Sequence, residues 1–184
     1  MNMETEKIEL THDPKRGELF YGKNNVTLTA RGQLAWIQRE CEKAIGPAAS
    51  HIIYESARVY AHRTESNIEQ QVLNNLNKLS REEIALKLLE QFNKFGYCYA
   101  QAEEIDIEGK KAKIKVYNSA NAIGYMNAEK PVCHFIRGVI AGAASELLDE
   151  PMYCLETRCT ASGGGYCLFE VMTSEIAEKK RLGE

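Results

Sequence analysis

Cys133, Cys154, Cys159 and Cys167, four of the six cysteines in the chain, crowd into residues 131–172. A thiolate is a zinc ligand, and three of these fall where a fold could bring them together. Cys159 and Cys167 flank the glycine-rich stretch Ala161-Ser162-Gly163-Gly164-Gly165, and Cys133 opens an apolar run. Structural zinc takes four ligands in a tetrahedron, so a fourth must come from Cys154, Glu156 or His134. Strand alternation places Cys154 and Glu156 on one face and cannot choose between them. His134 points about a hundred degrees away from Cys133 on a helix and is the weaker candidate. Two other readings compete: small buried hydrophobes, since free cysteine is often fully buried, and a Cys159–Cys167 disulfide, which belongs to an oxidising compartment.

The elements that must position these thiols are a helix and a hairpin. Cys133, Ile136, Ile140, Ala144 and Leu147 recur at spacings of three and four, one face of a helix. Phe135, Val139 and Gly142 leave the other side apolar or small, so the helix is expected to be buried, with Asp149, Glu150 and Pro151 as its stop. The period then changes to that of two strands, Met152 to Cys159 and Tyr166 to Met172, joined by the glycine loop.

Cys133, the GxxxG of Gly138 to Gly142, Glu156-x-x-Cys159, Gly163 to Gly165 and Cys167-Leu168-Phe169-Glu170-Val171 together resemble the 4-vinyl-reductase domain family. That family is similar in fold to the ligand-binding halves of bacterial aromatic-compound sensors and to TRAPP vesicle-tethering subunits. In those sensors a zinc is held by Cys, Glu, Cys and Cys, with 22, 2 and 7 residues between successive ligands, and the same gaps separate Cys133, Glu156, Cys159 and Cys167 here. The resemblance therefore implies Glu156 as the fourth ligand, with Cys154 in reserve. It covers about 40 residues closely and the rest only in general layout.

At 184 residues the chain can form one domain with a substantial core. Leu34, Ile37, Cys41 and Ile45 mark an amphipathic helix from Gly32 to Ile45, ended by Gly46-Pro47, with Trp36 and Cys41 expected in the core. A second helix is read from Ala48 to His62. Its His51 and His62 lack metal-ligand spacing and are treated as surface or pocket residues. A third, mostly polar helix is read around Ile68, Val72, Leu73 and Leu76, and a fourth begins at the capping box Ser80-Arg81-Glu82-Glu83 and stops at Gly96. Strands from Tyr97 to Ile107 and Lys111 to Tyr117 flank the turn Glu108-Gly109-Lys110, followed by a loop from Asn118 to Lys130. Before all of these, residues 1–24 read as a mobile start with one edge strand, and Val26 to Ala30 as a short strand or helix lead-in. Residues 173–184 read as a charged tail. The sum is an α+β fold, with a mainly helical half over 25–96 and a sheet with its buried helix over 97–172. The N-terminal helices lie on one face of an antiparallel sheet made of two hairpins flanking the buried helix, a layout like that of TRAPP subunits.

A net charge of −3 and the lack of basic blocks interleaved with aromatics argue against nucleic acid. The polar, acidic N-terminus and the absence of any apolar run of membrane-spanning length argue against a membrane and for the cytoplasm, where cysteines stay reduced. The favoured function is a small-molecule binding module for an apolar or aromatic ligand, acting as a sensor or carrier whose output comes from a partner protein. Its zinc is structural, because four protein ligands leave no open position. Gly138, Ala141, Gly142, Ala144 and Ser145 support this physically: they strip volume from a buried helix, and either a ligand or a closely packed element must fill the space. A reductase is disfavoured by the absence of GxGxxG and GxxxxGK motifs, and Gly163 to Gly165 lie between strands rather than before a helix. A zinc hydrolase would need Glu156 as a general base rather than a ligand. A dimeric scaffold built on the N-terminal helices is the third reading, and a homodimer is compatible with all three.

Overall fold

The computed structural model describes residues 8–62, 79–125 and 127–182. The helix read around Ile68 to Leu76 lies outside the described residues, as do the first seven residues of the expected mobile start.

The chain opens with three short antiparallel strands, β1 (Leu10–Asp13), β2 (Glu18–Tyr21) and β3 (Asn24–Val26), in a sheet of their own. Their registers pair Leu10 with Tyr21 and Leu19 with Val26. This corrects the single edge strand expected over residues 1–24. Strands of three or four residues are too short to display alternation, and the turn between the first two is closed by side-chain chemistry: Asp13 Oδ1 accepts from the amides of Lys15 and Arg16 at 3.0 and 3.2 Å.

Helices α1 (Gln33–Ile45) and α2 (Ala48–His62) are joined at Gly46, whose φ of 60° lets its amide reach back to the Glu42 carbonyl at 2.9 Å. The buried face of α1 is not the expected one. Ala35 and Gln38 are buried, while Trp36 is 61% exposed and Ile37 and Ile45 also face outward. Trp36 is therefore not core, and Cys41 is only half-buried. Helix α3 (Arg81–Lys94) begins with the capping box read from the sequence: Ser80 Oγ accepts from the Glu83 amide at 3.2 Å and Glu83 Oε2 accepts from the Ser80 amide at 2.8 Å.

Strands β4 (Tyr99–Asp106) and β5 (Lys111–Tyr117) form the first hairpin, α4 (His134–Leu148) follows, and β6 (Met152–Arg158) and β7 (Cys167–Thr173) form the second. The charged tail is a helix, α5 (Ser174–Leu182). The two hairpins zip into one antiparallel sheet of order β4-β5-β7-β6, with Ile114 opposite Phe169 and Val116 opposite Cys167 at the seam. Val116, Met152, Cys154, Phe169 and Val171 face the core, where α4 lies against the sheet and α2 against α4.

The α2–α4 contact answers what fills the space beside the small residues of α4. A Cβ on Gly138 would stand 2.7 Å from the Cβ of Ala57 and would collide with the Tyr54 carbonyl; one on Gly142 would stand 2.7 Å from the Cβ of Ala61. The GxxxG face is filled by a neighbouring backbone, so glycine is required there by close approach.

Candidate metal centre and apolar cavity

Cys133 is the N-cap of α4, Glu156 sits near the end of β6, Cys159 follows that strand, and Cys167 opens β7. Between the last two, a 3₁₀ turn (Thr160–Ser162) and Gly163 at φ 91° reverse the chain, as the glycine-rich loop predicts. The ligand atoms of Cys133, Glu156, Cys159 and Cys167 all lie within 4.8 Å of one another, and all four residues are buried. The three sulfurs form a nearly equilateral triangle with edges of 3.9 Å (Cys133–Cys159), 3.8 Å (Cys133–Cys167) and 4.0 Å (Cys159–Cys167). A tetrahedral ion with bonds of about 2.3 Å to sulfur separates its sulfurs by about 3.8 Å, so the triangle has the size such an ion requires. At these separations no pair of the three is disulfide-bonded.

Glu156 completes the group from the side of the helix. Its Oε2 accepts from the Cys133 amide at 2.8 Å, while its Oε1 is buried with no hydrogen-bond partner. Burial and the neighbouring Cys159 push the Glu156 carboxyl up to about 8. Hydrogen bonds from Cys133 and Cys159 pull the Cys167 thiol down, and its own bonds to Cys159 and Cys167 move the Cys133 thiol well above its ordinary value. The Cys133 thiol and the Glu156 carboxyl are thus both held toward their neutral forms, and a divalent cation in the cluster would favour the charged ones. An orphaned carboxylate oxygen, a sulfur triangle of the right size and a soft donor set all fit a zinc ion.

Among the residues considered for the fourth position, Cys154 is fully buried on the same strand face but does not join the group. It lies in the core beside Tyr54, whose hydroxyl its amide meets at 3.5 Å. His134 is also outside the group. Burial and Arg137 lower its imidazole to about 4, so it is neutral. His62, which lacks an acidic or thiol partner at metal-ligand spacing in the sequence, meets Glu146 of α4 at 3.4 Å, a contact made across two helices.

The sequence reading missed the residues around the cluster. Ser119 Oγ lies 3.1 Å from Cys133 Sγ. Gln38, 1% exposed on α1, donates to the Val132 carbonyl at 2.8 Å and to the Tyr125 hydroxyl at 3.0 Å, while Tyr125 donates to Glu42 at 2.9 Å. These bonds span more than eighty residues, and no local pattern announces them. A polar residue inside an otherwise apolar helical stripe was the available signal.

On the other side of α4 lies an apolar cavity of about 800 Å³. Phe135, Val139, Ala143 and Leu147 of α4 form one wall, spaced by four along the helix, and Leu88 and Phe92 of α3 face them. Ile114 and Val171 belong to the sheet wall, and Leu10, Val26 and Leu28 of the N-terminal segment also line it. Phe92, Tyr97 and Phe135 make a ring cluster with centroids 6.0 and 5.3 Å apart. Charged groups at the lining, Lys94, Asp106 and Lys111, come from the end of α3 and the adjoining ends of β4 and β5, not from the α4 wall. Helix α4 therefore presents glycines to α2, large apolar side chains to the cavity, and its N-cap thiol to the cluster.

Residues 112–173, about a third of the chain, match the family model of the V-4-R domain, in line with the 4-vinyl-reductase resemblance read from the motif. An uncharacterized protein of Methanocaldococcus jannaschii is 36% identical over 59 residues, which cover 32% of this chain and 37% of that one. The chain thus matches little more than a third of the length of the curated relatives. The phenol-responsive sensory domain of the transcription activator PoxR, solved with phenol, superposes with a TM-score of 0.78 at 16% identity, over 95% of this chain and 89% of that one. A trafficking protein particle complex subunit 3 from Naegleria fowleri, covalently bound to palmitic acid, superposes with a TM-score of 0.56 at 14% identity, over 77% and 93% of the two chains. At these identities the two structures show a common fold: mixed helices and antiparallel sheet of the kind found in PoxR and TRAPP subunits.

Proposed function

We propose that this chain, which carries a 4-vinyl-reductase-domain match in a PoxR-like fold, is a small-molecule binding module built as a single domain. Its cavity takes an apolar ligand and its cluster holds one structural zinc through Cys133, Glu156, Cys159 and Cys167. The observation that carries the reading is the cavity of about 800 Å³ walled by Phe135, Val139, Ala143 and Leu147. A space of that size is several times the volume of a single phenol ring and suits an elongated or multi-ring hydrocarbon. The phenol of PoxR and the palmitic acid on the Naegleria subunit are guests of these two kinds, one ring and one long chain, and both are smaller than the space. The metal closes the hairpin onto the N-terminus of α4 and contributes folding free energy. The module acts as a sensor or carrier in the cytoplasm, with output through a partner protein. Among the described residues no helix is long and apolar enough to cross a membrane.

A homodimer is the second part of this reading, favoured by the outward face of α1, where Trp36, Ile37 and Ile45 are exposed. Metal analysis combined with native mass spectrometry, on protein purified without added metal, tests all of these together. One zinc per chain with a small-molecule mass lost on denaturation is the expected result. Protein that carries no zinc, and takes none up, would remove the metal assignment. Zinc without any retained or acquirable apolar ligand would favour a scaffold instead.

A further inference from the structure

The four ligands are not equally provided for by the residues around them, and the differences say how the site is preset. The Glu156 carboxylate is anchored on one side only: Oε2 takes the Cys133 amide at 2.8 Å, and Oε1 is left without a partner although the residue is 4% exposed. A buried carboxylate oxygen without a donor is costly unless something else satisfies it. The amide that holds Oε2 belongs to the same residue as the first sulfur, so the position of Glu156 and that of Cys133 are fixed by one bond. Two sulfurs have hydrogen-bond partners from outside the cluster. The Ser119 hydroxyl lies 3.1 Å from Cys133 Sγ, and Cys167 Sγ faces the Thr160 amide at 3.4 Å and the Thr160 hydroxyl at 3.5 Å.

Ser119 is itself held in place. It is 4% exposed, the next amide, that of Ala120, donates to the Tyr97 carbonyl at 2.7 Å, and Arg31 bonds the preceding carbonyl of Asn118. At the far end of the same loop, Gln38 holds the Val132 carbonyl directly before Cys133. Both ends of the Asn118–Cys133 segment are thus tied down, and the serine at one end meets the thiol at the other.

Resting on the zinc reading above, we infer that Glu156 meets the metal through Oε1 alone and that Ser119 is a positioning residue for the Cys133 sulfur, as Thr160 is for Cys167. Outer hydrogen bonds of this kind orient ligands and commonly change metal affinity about 10- to 100-fold when removed. Cys159, whose sulfur lies 3.9 and 4.0 Å from the other two, follows β6 directly and takes its position from the hairpin backbone.

The test is chelator-competition measurement of zinc affinity for the full chain and for Ser119→Ala and Ser119→Thr, with the thiolate-to-metal charge-transfer band of the cobalt(II)-loaded proteins as a second readout. Ser119→Ala is expected to bind zinc at least about tenfold more weakly and to shift the cobalt band. Ser119→Thr, which keeps the hydroxyl, should restore both. Should the alanine variant fail to fold, Thr160→Val gives the parallel readout at Cys167. X-ray absorption of the zinc form should count one oxygen at about 2.0–2.2 Å. A Ser119→Ala protein with unchanged affinity and band, or two glutamate oxygens on the metal, overturns this inference while leaving the zinc reading intact. A wild-type chain that takes up no metal overturns both.

Discussion

Gly142 of α4 lies against Ala61 of α2 so closely that a Cβ on the glycine would stand 2.7 Å from that of the alanine. The α4 backbone cannot retreat, since the sheet backs it. Gly142→Ala should therefore destabilise the protein although alanine is the better helix former by about 1 kcal/mol. Overpacking of about 1–3 kcal/mol is expected to win. Thermal denaturation should show a midpoint lower by several degrees, and an unchanged or raised midpoint would mean that the two helices are free to part.

Cys159→Ser removes one sulfur of the triangle and leaves the hairpin pinned to α4 by fewer bonds. Zinc content and stability should fall together, the latter by about 3 kcal/mol or more, which for a chain of this length is roughly 6–12 °C. A variant that keeps one metal per chain at an unchanged midpoint would rule Cys159 out as a ligand.

Metal and cavity share α4: Cys133 caps it, and Phe135, two residues on, already lines the cavity. Stripping zinc should weaken the binding of an apolar fluorescent probe about tenfold, and the probe should slow zinc loss to a chelator, because coupling between sites is reciprocal. Equal probe affinity with and without metal would show the two sites to be independent.

Ala143 lies on the cavity wall one position away from the glycine face. Ala143→Phe should put a ring into the space and weaken probe binding while zinc stoichiometry stays at that of the wild type. Retained probe affinity would place the ligand elsewhere.

Helix α3 supplies Leu88 and Phe92 to the opposite wall and depends on its cap. Ser80→Ala should cost about 1 kcal/mol at neutral pH. The Ser80 amide and hydroxyl hold the Glu83 carboxyl below its ordinary value. Its contribution is thus present above the unfolded pKa and lost as pH falls through the folded one. The cost of Ser80→Ala, measured by denaturant titration, should shrink between neutral pH and about pH 3; a pH-independent cost would mean that the carboxylate takes no part.

Much of this arrangement was legible in the residues, for identifiable reasons. The bounds of α2 and β5 match the reading because Gly46-Pro47 punctuates one and strict alternation of lysines with apolar residues marks the other. The gathering of Cys133, Cys159 and Cys167 was legible in their clustering around a glycine loop between strands, whereas Glu156 over Cys154 came from the family resemblance, since both lie on one strand face. What escaped is non-local. In α1 the apolar residues Trp36, Ile37 and Ile45 point outward and an amide is buried, because Gln38 finds partners in a segment more than eighty residues away. The three N-terminal strands carry no period, and the cavity is assembled from separate elements whose common surface exists only once they have met.

Helix α4 is fastened at its tip by the cluster and along its flank by backbone-close glycines, whereas no residue of α3 is fully buried. The cavity between them is therefore a vice with one fixed jaw. A guest larger or smaller than the space would leave the cluster end still and push the α3 side out or let it in. The size of the guest would then be written on the outer surface of the protein as the stance of that one helix.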